Sequence, residues 1–97
     1  MYARVITSQL QPGKTDEAVR IWNESATPLL KERSGFKGAY VLGDHNTGRG
    51  VTITLWETEA DASAMDTSGA YQQAIGLFAK FFVAPPVREQ FEVLLQV

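Results

Sequence analysis

The chain has 97 residues, of which 44% are hydrophobic and 21% charged, with a formal net charge of −2 and no cysteine. A chain of this length supports one hydrophobic core, and its composition is that of a folded domain rather than a disordered segment. The small charge and the absence of like-charge runs argue against nucleic acid as a partner. The lack of cysteine excludes disulfides, thiolate nucleophiles and Cys-ligated metal sites.

The first residues predict neither a secretory signal peptide nor a membrane segment. They lack a basic stretch followed by an apolar run, and no apolar run approaches the ~20 residues that span a bilayer. We therefore expect one cytoplasmic domain over residues 1–97, with no membrane partner.

The first third of the chain predicts a strand and a kinked helix. Residues 3–10 are rich in β-branched side chains and end at the turn residues 11–13. Thr15 is expected to cap the helix that follows, whose apolar residues recur at helical spacing. Pro28 lacks the amide hydrogen that would bond the Glu24 carbonyl, which predicts a kink near Glu24.

The remainder predicts a hairpin, a broken helix and a last strand. Residues 36–43 and 51–57 are strand-like and flank a loop dense in turn residues. Thr58 followed by Asp61 is typical of a capping box, and the helix it starts is expected to break at Ser68 and Gly69, then to continue to the two prolines at 85 and 86. Residues 89–97 are expected to form the fourth strand.

The order strand, helix, strand, strand, helix, strand predicts an α+β, ferredoxin-like βαββαβ fold. Both helices are expected on one face of a four-stranded antiparallel sheet. The third strand still offers apolar side chains on both of its sides: Val51, Ile53 and Leu55 on one, and Thr52, Thr54 and Trp56 on the other. A bare apolar sheet face would exceed what monomers tolerate, so a homodimer formed through that face is expected.

Four short features occur in a characteristic order along the chain: Pro12-Gly13 before the first helix, Gly35-Phe36-Lys37-Gly38 opening the second strand, Trp56-Glu57 ending the third, and Pro85-Pro86 before the last. With these features the chain resembles antibiotic biosynthesis monooxygenase-like domains of the dimeric α/β-barrel superfamily, over nearly its whole length. The resemblance implies a homodimer whose two sheets form a barrel. It also implies a small-molecule cavity in each subunit between the helices and the sheet.

The resemblance further implies a cofactor-independent oxidoreductase, a monooxygenase for a small aromatic or polyketide-like substrate. Members similar to anthrone oxygenases use no metal or flavin; they favour the anion of a phenol or anthrone, which reacts with dioxygen. They carry an Asn four residues before the Trp of the Trp-Glu pair and a Tyr six residues after it. The matching positions here are Thr52, Trp56 and Ala62, so Trp56 and Thr52 are the catalytic candidates.

Haem-degrading members of the superfamily differ at three positions from this chain. They carry an Asn in the first strand, a Trp nine residues after the Trp of the pair, and an axial His ten residues further on. This chain has Thr7 or Ser8, Met65 and Ile75 there, and His45 lies in the hairpin loop. Haem degradation is therefore disfavoured.

Aromatic and hydroxyl side chains on the predicted sheet and helices are candidates to line the cavity. Pockets for small molecules are mostly apolar with a few polar groups, although the same residues also serve as ordinary core or as strand formers. The substrate-binding candidates are Thr7, Trp22, Thr54, Tyr71, Phe78 and Phe82.

Two other functions remain open from the sequence. Ala62 offers no donor where relatives have a Tyr, which favours a non-catalytic homodimer that binds a small ligand or stabilises a partner. RNA recognition domains share the strand order, but Val51 and Ile53 occupy the positions where they stack aromatic rings on bases. RNA binding is therefore the weaker alternative.

Overall fold

The computed structural model describes residues 1–97 and contains one antiparallel sheet with strand order β2-β3-β1-β4. The predicted α+β ferredoxin-like arrangement is confirmed, since the first strand lies beside the third and the fourth. The strands are β1 (Tyr2–Gln9), β2 (Phe36–Gly43), β3 (Arg49–Trp56) and β4 (Val87–Glu92). The α-helices are α1 (Thr15–Ile21), α2 (Thr27–Lys31), α3 (Glu59–Thr67) and α4 (Ala70–Gly76).

The register of the sheet assigns each side chain to one of two faces. Ile6 pairs with Thr52 of β3, and Thr52 in turn pairs with Val41 of β2, so these three side chains lie in one row on the face that the helices cover. Val5 and Ile53 lie in the next row, on the opposite face. Because no helix covers this opposite face, we call it the open face.

Where a kink was predicted, the structure shows a change of helix type. A π-helical segment, Trp22–Ala26, joins α1 to α2, and the Trp22 carbonyl accepts the backbone N–H of Thr27, five residues on. The Thr27 hydroxyl donates to the same carbonyl at 3.3 Å. Pro28 therefore lies in the first turn of α2, where its missing amide hydrogen leaves no α-helical bond broken.

The prediction that Thr15 caps the first helix is wrong. Lys14 takes the N-cap position without a side-chain bond, and Thr15 is the first helical residue. Its side chain is buried against the sheet, where no free helix amide lies within reach. The capping prediction for Thr58 is confirmed, because its Oγ1 accepts the backbone N–H of Asp61 at 3.1 Å.

The second helical region breaks where it was predicted to break but ends earlier. Gly69, with φ of +83°, separates α3 from α4 in a left-handed conformation that side chains disfavour. α4 ends at Gly76, and a short 3₁₀ turn, Ala79–Phe81, follows it. Phe82 is extended and forms a bridge with Leu10, so the chain returns to the sheet before the two prolines.

The fourth strand is shorter than predicted. It covers Val87–Glu92 rather than residues 89–97, because β1 offers partners only between Tyr2 and Thr7. The last backbone bond joins the Val93 amide to the Met1 carbonyl at 2.8 Å. The remaining residues lie beyond the end of β1, where no strand of this chain is available to pair with them.

Two groups of buried side chains lie between the sheet and the helices. The first surrounds Trp56 and the second surrounds Phe78, and Trp22 packs against both. The space between these two groups is incompletely filled, and it forms the cavity described next. None of the helices has the length and hydropathy that a membrane-spanning helix requires.

Candidate functional site

A cavity of about 360 Å³ lies between the covered face of the sheet and the helices. Its size is within the range of small-molecule sites, and 15 of its 24 lining residues are hydrophobic. The helical side is apolar, whereas most of the polar groups come from the strands. The cavity therefore suits a flat apolar compound that carries polar atoms on the side facing the sheet.

Six of the eight predicted site residues line this cavity. Thr52 and Thr54 form part of its floor because alternate residues of β3 face the helices. The other four are aromatic residues of the helical side and the segment after α4: Trp22, Tyr71, Phe78 and Phe82.

Thr7 and Trp56 do not line the cavity. Thr7 pairs with Val51 on one side and Val87 on the other, so the alternation of β1 places it on the open face. Trp56 is fully buried in the first core group and packs edge-on against Phe36, with ring centres 5.4 Å apart. A ligand in the cavity touches neither side chain.

Trp56 acts on the cavity through Thr54. Its indole Nε1 donates to Thr54 Oγ1 at 2.9 Å, in a bond that is buried from solvent. A threonine hydroxyl has one hydrogen to donate and two lone pairs to accept with. Since the indole occupies an acceptor site of Thr54, the hydroxyl hydrogen stays available as a donor.

A charged cluster closes the cavity on the side of β4. Arg4 is 3% exposed, and its two terminal nitrogens donate to the Asp66 carboxylate at 2.9 and 3.1 Å. Arg4 also donates to the Ala62 carbonyl and to the Gln90 side chain. Arg88 Nε forms an ion pair at 3.1 Å with Asp66 Oδ1, which also accepts from Arg4, so two cations share one carboxylate and the cluster carries one net positive charge.

The cluster shifts the pKa values of its members. The hydrogen bond from Arg4 is the main reason why the pKa of Asp66 is lowered, despite the opposing effect of its partial burial. Burial raises the pKa of Tyr71, although Arg88 and Arg4, whose guanidinium carbons lie 5.1 and 5.3 Å from its ring centre, act against that shift. The Tyr71 hydroxyl therefore remains protonated near neutral pH.

The opposite end of the cavity meets the β2–β3 hairpin. Gly43 and Gly50 pair with each other there and present no side chain to the covered face. His45 and Arg49 line the cavity from the hairpin, and His45 Nε2 lies 2.8 Å from Asp16 Oδ1 on α1. The side chains of His45 and Asp16 are both exposed, so this pair lies at the mouth of the cavity.

Three polar residues that line the cavity, Arg4, Thr15 and His45, were not among the predicted site residues. Arg4 is the single charged residue on the covered side of β1, where it alternates with the outward-facing Ala3 and Val5; that position is a signal that sequence reasoning could have used. Thr15 and His45 lack such a signal, because their placement depends on how α1 packs against the hairpin. No group of three His, Cys, Asp or Glu side chains converges anywhere in the chain as a metal site would require.

The fold and its cavity define the class to which the protein belongs: a ferredoxin-like α+β domain with a small-molecule pocket between helices and sheet. A family model described as antibiotic biosynthesis monooxygenase matches residues 1–77. The chain belongs to this family. A search among curated proteins finds no similar sequence.

Solved structures share the fold over almost their whole length. The monooxygenase ActVA-Orf6 of Streptomyces coelicolor, in complex with nanaomycin D, has a TM-score of 0.80 and 15% identity, covering 99% of this chain and 89% of that one. A mutant of MhuD with two manganese protoporphyrin IX molecules per active site has a TM-score of 0.77 and 21% identity, covering 100% and 98%. The protein NE2512 of Nitrosomonas europaea, of unknown function, has a TM-score of 0.74 and 23% identity, covering 99% and 91%.

Proposed function

We propose that this protein is a homodimeric, cofactor-independent monooxygenase for a small aromatic or polyketide-like compound bound in the cavity. The observation that carries the proposal is the cavity itself, an apolar space of about 360 Å³ with Thr52 and Thr54 in its floor. Aromatic rings of the helical side pack on the faces of a flat substrate, and the hydroxyls orient its oxygen atoms.

The charge of the cavity supports binding of a substrate anion. Arg4 is buried, and the cluster that it forms with Arg88 and Asp66 has one positive charge in excess. Arg4 lines the cavity, whereas Arg88 lies outside the lining and its side chain is 48% exposed, so the excess positive charge acts from the cavity edge and is partly screened by solvent. It favours the ionised form of a nearby phenol or enol. The Thr54 hydroxyl, whose hydrogen is free to donate, adds a hydrogen bond to the ionised oxygen of that phenol or enol.

The reaction assigned to this site is the oxygenation of an activated CH₂ group to a carbonyl. The substrate loses a proton to give an electron-rich anion, which transfers electrons to dioxygen and forms a carbon–oxygen bond. One oxygen atom remains in the product as the carbonyl, and the other leaves as water with the two hydrogens of the CH₂ group. The substrate supplies all the electrons, so the protein's role is to bind, orient and ionise it.

Family membership and the ActVA-Orf6 complex support this choice of chemistry. That protein is a monooxygenase and holds nanaomycin D, and its fold matches this chain with a TM-score of 0.80. At 15% identity the match concerns the fold. The substrate class assigned here therefore rests on the shape and charge of the cavity.

The homodimer is assigned to the open face of the sheet. This face presents a largely apolar surface on which Tyr40 and Phe91 are 59% and 52% exposed. The apolar tail after β4 adds Leu94 and Leu95, which are more than 80% exposed. A second copy packed against this face buries both features.

A non-catalytic, ligand-binding or stabilising homodimer is the second candidate, favoured by the position of Ala62. This residue is fully buried, and it lies where oxygenase relatives carry a Tyr. It supplies no group to a bound ligand. On this alternative the cavity binds the same class of compound without turning it over.

The test combines oxygen consumption with thermal shift, using anthrones, hydroquinones and haem without added metal or flavin. Oxygen uptake that requires folded protein and falls at least tenfold in Thr54→Val establishes the monooxygenase. Thr67→Val, an exposed threonine at the end of α3, is the matched control and keeps full activity. A thermal shift without oxygen uptake establishes the ligand-binding alternative, and no response in either assay refutes both.

A further inference from the structure

The cavity opens to solvent on the side between α1 and the β2–β3 hairpin. The lining residues that belong to β1, α2, α3, α4 and the segment after α4 are buried or half-buried. The exposed lining residues all belong to α1 or to the hairpin: Val19, Val41, Leu42, Gly43, His45 and Arg49. β2 is an edge strand, so no further strand of this chain covers that side. A compound that approaches from solvent therefore meets this gap first.

The floor of the gap carries no side chain where the hairpin begins its loop. Gly43 pairs with Gly50, and both positions belong to the face that the helices cover. Neither glycine has a positive φ, so the backbone conformation does not require glycine at either position. A Cβ atom on Gly43 would lie 3.5 Å from Thr15 Cγ2 on α1, which is already van der Waals contact. The gap is therefore narrow, and the two glycines keep it free of sheet side chains.

A single hydrogen bond crosses the gap. His45 Nε2 lies 2.8 Å from Asp16 Oδ1, and the imidazole is the donor because a carboxylate only accepts. No other hydrogen bond joins α1 to the hairpin. The two side chains are 71% and 91% exposed, and an exposed pair of this kind contributes little free energy. The bond therefore breaks and re-forms easily, as a contact that closes a passage must do.

The hairpin loop keeps its shape when this bond breaks. The Gly48 carbonyl accepts the backbone N–H of Leu10 at 2.8 Å, which ties the end of the loop to the segment after β1. Asp44 Oδ1 accepts the backbone N–H of Asn46 at 2.8 Å, which fixes the turn on both sides of His45. Loss of the bond to α1 therefore releases the His45 side chain without unfolding the loop.

We propose that the gap between α1 and the hairpin is the passage by which a ligand enters and leaves the cavity, and that the bond between His45 and Asp16 is the latch that closes it. This inference rests on the proposed function only in requiring that a small aromatic compound occupies the cavity. The latch closes over the free and the occupied cavity alike. Its removal therefore speeds entry and exit by the same factor and leaves the affinity unchanged.

Stopped-flow fluorescence with 2-naphthol measures both rates. His45→Ala and Asp16→Ala are each expected to raise the association and dissociation rates about twofold to fivefold, with a change in the dissociation constant of less than about twofold. The double variant should match either single variant, because the two residues share one bond. Arg20→Gln removes another exposed ion pair of α1, the one with Glu24, and should leave both rates unchanged.

The absence of native cysteine allows the passage to be closed chemically. Asp16→Cys combined with His45→Cys, joined by a short bismaleimide linker that reductant cleaves, should slow the entry of 2-naphthol about tenfold or more. Cleavage of the linker should restore entry. Arg20→Cys combined with Glu24→Cys carries the same linker within one helical region, so this control should bind at the rate of the unmodified protein.

Unchanged rates in His45→Ala and Asp16→Ala overturn the latch, and unchanged entry into the cross-linked protein overturns the passage. A weaker affinity that arises from faster dissociation alone shows that His45 holds the ligand, and this result also overturns the latch. If the unmodified protein does not bind 2-naphthol, the proposed function falls and the passage falls with it. Rates as expected, without oxygen uptake from any substrate, support the passage in a ligand-binding protein and overturn the monooxygenase alone.

Discussion

The hydrogen bond between Trp56 and Thr54 links the core of the protein to its cavity. Trp56 is fully buried and holds Thr54 Oγ1 at 2.9 Å. A buried indole N–H needs an acceptor, and a floor hydroxyl needs one defined orientation; this bond provides both. A large core residue thereby affects ligand binding without touching the ligand.

A double-mutant cycle measures this link. Trp56→Phe removes the donor and leaves a small cavity, and it should lower the free energy of unfolding by about 1 to 3 kcal/mol. Thr54→Val removes the acceptor. Because the two residues share one bond, the double mutant should be less unstable than the sum of the single mutants by about 0.5 to 1.5 kcal/mol in urea unfolding. Additive effects would show that the bond contributes nothing.

Asp66 makes the stability of the folded protein depend on pH in the acidic range. Its pKa is lowered in the folded state, mainly by the Arg4 hydrogen bond, so it binds fewer protons there than in the unfolded chain. The stability that it contributes is present above its ordinary value of 3.8 and is lost as pH falls through the lower folded pKa. The Asp66 side chain is 35% exposed, and screening by solvent limits how much free energy of unfolding its ion pair contributes.

We predict that Asp66→Asn lowers the free energy of unfolding by about 1 to 2 kcal/mol at pH 7, because Arg4 is left buried without its counter-ion. The difference from the unmodified protein should shrink below about pH 4. Glu24→Gln, which removes a pair with Arg20 that is exposed on both sides, is the control and should change stability by less than 0.5 kcal/mol. If the stability difference between Asp66→Asn and the unmodified protein did not change with pH, the Asp66 carboxylate would not be the stabilising counter-ion of Arg4.

Side-chain alternation explains which site residues could be predicted. Thr52 was identified from its position in the family resemblance and Thr54 as a hydroxyl of the same strand, and alternation along β3 places both side chains on the cavity. Thr7 belongs to a strand whose two sides look alike in sequence, so its face was not determined. Thr15 fits a helix cap equally well by sequence, and only the packing of α1 onto the sheet shows that its hydroxyl is unpaired.

At the scale of elements, the π-helical segment and Pro28 explain each other. A proline inside a regular helix loses one hydrogen bond and crowds the preceding turn. Here the extra residue of the Trp22–Ala26 segment shifts the bonding pattern, so that Pro28 lies in the first turn of the next helix. Trp22 and Ala26 both line the cavity, so the segment forms part of its wall.

We predict that Pro28→Ala changes the free energy of unfolding by less than about 1 kcal/mol, well below the ~3 kcal/mol that separates the two residues in a helix interior. The matched control introduces proline into a regular helix: Ala64→Pro in α3 should cost ~3 kcal/mol or more. A gain of ~3 kcal/mol in Pro28→Ala would show that the proline is a tolerated defect and that the π-helical segment is not adapted to it.

Element boundaries were predictable where a local signal ends the element. Thr58 and Gly69 both act as predicted, because a side-chain cap and a left-handed glycine act on the backbone directly. The early end of α4 at Gly76 and the short β4 were not predicted. Both depend on tertiary partners: Phe82 pairs with Leu10, and β1 is too short to pair with the last residues.

At the scale of the whole molecule, the sheet has one covered face and one open face. On the open face three rows of side chains cross the four strands, and these rows are largely apolar: Gly38, Leu55, Ala3 and Phe91 in the first, Tyr40, Ile53, Val5 and Glu89 in the second, and Leu42, Val51, Thr7 and Val87 in the third. A half-exposed apolar surface of this extent is typical of an interface between copies.

The open face predicts a dimer that single charges can dissociate. Tyr40→Lys and Phe91→Lys each place a charge in the proposed interface, at side chains that are already about half exposed in one chain, so the isolated subunit should stay folded. Sedimentation analysis should give twice the chain mass of 10.7 kDa for the unmodified protein and a single chain mass for each variant at micromolar concentration. Gln73→Lys alters an exposed residue of α4, on the helical side of the sheet away from the open face, and should leave the dimer intact. Since a folded monomeric variant still contains the whole cavity, its retained ligand affinity would show that each subunit binds independently, whereas a monomeric unmodified protein would remove the dimer from the proposal.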